Sequence, residues 1–106
     1  MITEHAILSV VAGQEPAFEE AFAQARPIIS STPGFRSLTL SRSLERPNEY
    51  LLLVAWDTLE DHTVGFRGSA GYERWAELLH RFYGPFPVVE HFAEVQGKRS
   101  TERRSK

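Results

Sequence analysis

The stretch Ile2 to Val11 constrains this chain most. It alternates as a strand, with Ala6, Leu8 and Val10 on one side and His5, Ile7, Ser9 and Val11 on the other, and both sides read as largely apolar. A strand of that kind belongs in the middle of a sheet, with cover on each face. The chain has 106 residues, enough for one hydrophobic core and not two. One cover can come from its own helices; the other has to come from a second molecule.

The remaining pattern supplies the helices and the other strands. After Ala12-Gly13-Gln14, residues 14–31 carry Phe18, Phe22, Ala25 and Ile29 on one helical face, with Pro16 in the first turn. Pro27 lacks a backbone donor and is expected to kink or shorten this helix near Gln24–Arg26. Thr32-Pro33-Gly34 ends it. Residues 35–44 alternate polar and apolar, as a strand with a wet side. Arg46-Pro47-Asn48-Glu49 turns the chain, and residues 50–57 form the most apolar strand. Asp or Thr can cap a short helical turn from Asp57 to Asp61. Gly65, Gly68 and Gly71 predict an irregular, mobile connection over Val64–Tyr72. Ser69 caps a helix over residues 70–83, with Tyr72, Trp75, Leu79 and Phe82 inward and Glu73, Arg74, Glu77, His80 and Arg81 outward. Gly84-Pro85-Phe86-Pro87 stops it, and Val88–Val95 is the last strand. Residues 97–106 read as a polar, basic tail behind a domain of residues 1–96, with Lys98, Arg99, Arg103, Arg104 and Lys106.

The order β-α-β-β-α-β predicts an α+β, ferredoxin-like fold. It is a four-stranded antiparallel sheet in the order 4-1-3-2, with both helices on one face. The bare sheet face then pairs with a second copy. A hydrophobic share of 42% and a charged share of 25% fit a globular chain and not a disordered one. The net charge is −2, so no basic field exists to hold a nucleic acid. The absence of cysteine removes disulfides, thiolate metal sites and cysteine nucleophiles. No apolar run approaches the ~18 residues of a membrane span. The N-terminus has no signal-peptide pattern, so a cytoplasmic protein is expected. Glycine-rich dinucleotide and phosphate loops and the Gly-x-Ser-x-Gly elbow are missing from the sequence.

Over residues 2–95 the chain resembles the antibiotic biosynthesis monooxygenase domain. The resemblance rests on Gly13 with the Phe18 and Phe22 helix, on Pro33-Gly34-Phe35, and on a third strand ending in Trp56. It also rests on Phe66-x-x-Ser69-x-x-Tyr72-x-x-Trp75 and on Val88-Val89-Glu90-His91-Phe92. It implies a dimeric α+β barrel with a pocket between sheet and helices. In some members that pocket oxidises phenols or quinols with dioxygen and no cofactor; in others it binds and degrades haem; many members have no assigned activity. The position where family members often carry a His, three residues before Ser69, is Phe66 here. The Asn that the haem-degrading branch carries in the first strand is missing too, and both departures count against haem. His62, one helical turn before Phe66, compensates only if that stretch is helical.

The activity expected from this resemblance is a cofactor-independent monooxygenase acting on a small electron-rich aromatic such as a phenol, quinol or anthrone. Trp56, Phe66 and Trp75 are expected to wall the substrate. His62, near Asp57, Glu60 and Asp61, is the candidate base; Arg67 and Tyr72 are the candidate donors to the substrate anion. Each also has a plainer reading: core packing for the aromatics, a surface salt bridge for Arg67, an exposed helical imidazole for His62. His5 and His91 lie on neighbouring strands and are expected to approach each other on the sheet; two imidazoles alone make a poor metal site, so no metal is expected. The alternative reading of the same pocket is a dimeric, non-catalytic module for a small apolar ligand.

Overall fold

A computed structural model describes residues 1–100. The strands are β1 (Ile2–Ser9), β2 (Phe35–Arg42), β3 (Glu49–Trp56) and β4 (Val89–Ala93). The helices are α1 (Glu15–Ser30) and α2 (Ala70–Leu79). A π-helical turn, Asp61–Phe66, precedes α2, and a 3₁₀ turn, His80–Phe82, follows it. The sheet runs β2-β3-β1-β4, every pair antiparallel. This is the expected ferredoxin-like arrangement, with β1 and β3 central. Residues 94–100 carry no regular structure, and Arg103, Arg104 and Lys106 of the expected tail lie outside the described residues.

Pleating sorts the sheet into two unlike faces. Ala6, Leu8, Tyr50, Leu52, Val54 and Trp56 are buried against Phe18, Phe22, Ala25 and Ile29 of α1 and Trp75 and Leu79 of α2. The opposite face carries Thr3, His5, Ile7, Leu51, Leu53, Ala55 and Phe92 with no helix over it among the described residues, and Ile7 and Phe92 are 42% and 52% exposed. Val11 falls beyond the end of β1, so that strand's outer side is more mixed than the alternation suggested.

Four expectations are corrected. α1 runs through Pro27 to Ser30 without being shortened. Pro27 and Ala23, one turn earlier, are both exposed, so the carbonyl that loses its partner meets water, while buried Ile29 anchors the last turn. The Val64–Tyr72 connection is not irregular: π winding holds its first half, closed by Arg67 N–H to His62 O at 3.1 Å, and the Ser69 hydroxyl accepts from Tyr72 N–H to start α2. The last helix is two pieces, the α-helix ending at Leu79 and the 3₁₀ turn carrying Phe82 into the core. The strands are shorter than read, β1 ending at Ser9, β2 at Arg42 and β4 spanning Val89–Ala93.

Candidate active site

The site begins with a turn that the sequence closes on itself. The Thr58 hydroxyl accepts from Asp61 N–H at 3.1 Å, and the Asp61 carboxylate accepts from Thr58 N–H at 3.1 Å. This reciprocal cap starts the helical winding at Leu59. Gly34 fits against it with φ +87°, and a Cβ there would collide with the Asp61 carboxylate. The wide winding that follows puts His62 and Phe66, four residues apart, on one buried face with stacked rings 6.4 Å apart. The stretch is therefore helical, as His62 requires if it is to reach the pocket.

His62 is 2% exposed and stacks on Trp56 with ring centres 5.6 Å apart. Its Nδ1 lies 2.8 Å from Nε2 of His91, and its Nε2 lies 3.4 Å from Oε1 of Glu4. The same Oε1 accepts the indole N–H of Trp56 at 2.9 Å. Strand register makes this grouping: Glu4 of β1 faces Val54 on one side and His91 on the other, two residues from the Ile2–Trp56 pair. Glu4, Trp56 and His91 therefore share the inner face.

That register corrects the expected pairing of His5 with His91. His5 lies opposite Glu90, so its ring is on the outer face, edge-on to Phe92 at 5.6 Å, and its buried Nδ1 has no hydrogen-bond partner among the described residues. The residue that meets His91 from β1 is Glu4, a carboxylate the sequence places near His5 but to which the sequence reading gave no place in the pocket. A signal for it existed. Glu4 has the parity of Ala6, Leu8 and Val10, which puts a carboxylate on the buried side of a strand.

A cavity of about 40 Å³ opens beside this group, between the sheet, the π turn and α2. Glu4, His62, Phe66, Arg67, Tyr72 and Trp75 line it, joined by His80, Tyr83, Phe86 and Pro87. Of the residues singled out from sequence, Phe66, Trp75 and Tyr72 form its aromatic wall, Tyr72 edge-on to Phe66 at 5.3 Å. Trp56 lies behind His62 and does not line the cavity. Arg67 lies at its margin, exposed, with no ion pair among the described residues. His80, expected to point outward, borders the inward stripe of α2 and sits edge-on to Tyr72, Tyr83 and Phe86.

Burial sets the charge state. It pulls the His62 pKa from 6.5 down to about 4, helped by the Arg67 charge and by His91, so the ring is neutral at pH 7. Burial pushes Glu4 up; the Trp56 hydrogen bond and Arg67 oppose that rise. Burial also lowers His91, with Arg67 adding to it, and lowers His80. The groups stand in a row and not around a common point: Glu4 and His91 address opposite nitrogens of one imidazole. Accordingly, no group of three ligands with metal-binding geometry occurs among the described residues.

The antibiotic biosynthesis monooxygenase family profile matches residues 1–78. The chain belongs to that family. An uncharacterized protein of Bacillus subtilis, YczJ, is 56% identical over 95 residues, which cover 90% of this chain and all of YczJ. A crystal structure of a Bordetella bronchiseptica chain carrying the family name is 38% identical, with a TM-score of 0.86 over 90% of this chain and 97% of that one. SnoaB of Streptomyces nogalater, a cofactor-independent oxygenase, is 22% identical with a TM-score of 0.80 over 91% of this chain and 94% of its own, a likeness of fold alone. Within the antibiotic biosynthesis monooxygenase fold, then, this chain places a neutral His62 where the pocket meets the sheet. No helix among its described residues is long and apolar enough to cross a membrane.

Proposed function

We propose that the protein is a cofactor-independent monooxygenase that oxidises a small electron-rich aromatic of phenol, quinol or anthrone type with dioxygen. One observation carries the reading: a neutral, buried His62 lines an aromatic-walled cavity whose margin holds Arg67, which has no ion pair among the described residues. A neutral imidazole has a nitrogen lone pair that can accept a proton. In this reading Arg67 and Tyr72, which line the cavity, hold the anion left behind, and the low dielectric strengthens both contacts. Phe66 and Trp75 present ring faces and edges to a flat substrate, and Trp56 backs the base. The substrate supplies the electrons: for an anthrone methylene, R₂CH₂ + O₂ gives R₂C=O + H₂O. The cavity of about 40 Å³ holds a few waters. A flat aromatic enters when Phe86, 58% exposed and resting edge-on against His80, swings aside.

The protein acts as a homodimer in this reading. A second copy covers Ile7, Leu53 and Phe92 on the bare sheet face and closes it into a barrel. The test of function is oxygen uptake with anthrone. The protein raises uptake well above autoxidation, and His62→Ala lowers kcat by about 10²-fold with KM nearly unchanged. Uptake no faster than autoxidation rejects catalysis on this class and leaves the ligand-binding module, which a bound aromatic mass in native mass spectrometry would then identify.

A further inference from the structure

His62 as the base leaves open where the substrate's proton arrives and where it waits. The geometry points to a proton relay of three residues: Glu4 takes the proton at the cavity, His62 passes it on, and His91 holds it. This deepens, and rests on, the oxygenase reading. Both ring nitrogens of His62 are occupied, Nδ1 by His91 and Nε2 by Glu4. Glu4 lines the cavity and is 6% exposed; its Oε1 takes the Trp56 N–H and faces His62, while Oε2 has no hydrogen-bond partner among the described residues. His91 does not line the cavity. It sits half-buried on β4, an edge strand. The row therefore runs from a carboxylate that lines the cavity to a ring on an edge strand of the sheet.

Imidazole can take a proton at one nitrogen and release another from the opposite one, and the two nitrogens of His62 face two different proton-carrying groups, Glu4 and His91. The substrate C–H or O–H bond breaks, its electron pair stays on the substrate, and an O–H bond forms at Glu4 Oε2. A half-turn of the carboxyl group exchanges its oxygens and offers the proton to His62 Nε2. His62 gives its Nδ1 proton to His91 Nε2, leaving Glu4 ionised, His62 neutral and His91 a cation. When the oxygenated substrate sheds water, the same steps run backwards and the proton returns to the leaving oxygen. The net reaction remains R₂CH₂ + O₂ to R₂C=O + H₂O, and the relay is reset.

The surroundings suit the task. Burial raises Glu4, so that it can take a proton at the cavity, and lowers His62, so that a proton reaching its ring is passed on and not kept. The groups facing the row are Arg67 from the turn after His62, Tyr72 from α2, and His80 and Tyr83 beyond it. Arg67 is the one fixed cation among them, and it favours an ionised Glu4 and a neutral His62. The 3.4 Å between His62 and Glu4 has to close by roughly half an ångström for transfer, as is common in unliganded sites.

Glu4→Gln keeps the shape and the Trp56 contact but takes no proton. It is expected to lower kcat on anthrone by about 10²-fold with KM within about two-fold, and Glu4→Asp to recover part of it. His91→Gln keeps a partner for His62 but stores no proton. It is expected to lower kcat about tenfold and to turn a curved proton inventory in mixed H₂O and D₂O into a straight line. Rates within about two-fold of the parent for both variants overturn the relay. A second readout needs no turnover. In ¹⁵N spectra of the whole chain, His62 and His91 are expected to change tautomer together on titration, and Glu4→Gln to uncouple them. Unchanged coupling in Glu4→Gln overturns the relay even if anthrone is oxidised. If anthrone is not oxidised, the oxygenase reading fails by itself and the spectra still decide on the relay.

Discussion

Glu4 and His5 are neighbours in one strand, and they live in different worlds. Glu4 is on the helix-covered face, accepts an indole N–H and touches His62. His5 is on the bare face, its Nδ1 without a hydrogen-bond partner among the described residues and its ring against Phe92. The same contrast holds across the sheet. The inner face sets a row of titratable groups into a wall of packed rings, and each gains its function from the desolvation and fixed contacts around it. The outer face also carries apolar side chains, Ile7, Leu51, Leu53 and Phe92, but no element among the described residues packs against them. A site needs cover as much as it needs residues.

The largest effect expected from breaking this contrast is at Trp56. The side chain is fully buried, packs edge-on to Phe35 and stacks on His62. Trp56→Ala is expected to destabilise by about 3–5 kcal/mol, read from urea unfolding. Trp56→Phe keeps most of the packing but removes the N–H that Glu4 accepts, and it is expected to cost about 1–3 kcal/mol. A Phe variant as stable as the parent would show that the inner face does not depend on that hydrogen bond.

Next in size is the response to acid. His62 binds its proton near pH 6.5 when unfolded and only near pH 4 when native. Below pH 6.5 the unfolded chain therefore binds more protons. The contribution of His62 is fully present above pH 6.5 and is lost as pH falls towards 4, on the order of 3 kcal/mol in all. His91 and His80 add to the same slope. Glu4 works the other way, since its raised native value favours the folded state at low pH and gives that up as pH rises. Urea midpoints are expected to fall from pH 7 to pH 4, and His62→Gln to flatten that fall; an unchanged slope in the variant would mean that His62 is not the buried group that responds.

The fold could be read from the sequence because its signals are local. Alternation marks the strands, Phe18-Phe22-Ala25-Ile29 marks α1, and Pro-Gly pairs mark the breaks. The site was legible only in part. His62, Phe66, Arg67, Tyr72 and Trp75 lie on consecutive turns, so reading them as one group needed no long-range pairing, and all five line the cavity. The pairing of β4 with β1 is different. Whether His91 meets His5 or Glu4 depends on a register of one residue, fixed by the Ile2–Ala93 pairing, and a slip of one exchanges the faces. Nothing local in Val88 to Val95 sets that register. The π winding that buries His62 is equally hidden: the Thr58–Asp61 cap starts it, but its wide pitch goes with His62 and Phe66 packing on Trp56, a contact between residues distant from one another in local pattern.

The smallest expected effect is on the outer face, and it bears most directly on what covers that face. Leu52 and Leu53 are adjacent in β3, Leu52 buried inside and Leu53 half-buried outside. Leu52→Ala is expected to cost about 2–5 kcal/mol at any protein concentration, because its cavity forms within one chain. Leu53→Ala is expected to cost no more than about 0.5 kcal/mol where the chains are dilute. At higher concentration its cost should grow, because a second copy that binds only the folded chain adds a term that rises with its own concentration. Thermal unfolding over a hundredfold range of concentration, with sedimentation to count the copies, separates the two leucines. If Leu53→Ala shows the same small loss throughout while the parent sediments as one chain, the bare face stays bare, and the contrast between Glu4 and His5 is one between protein and water.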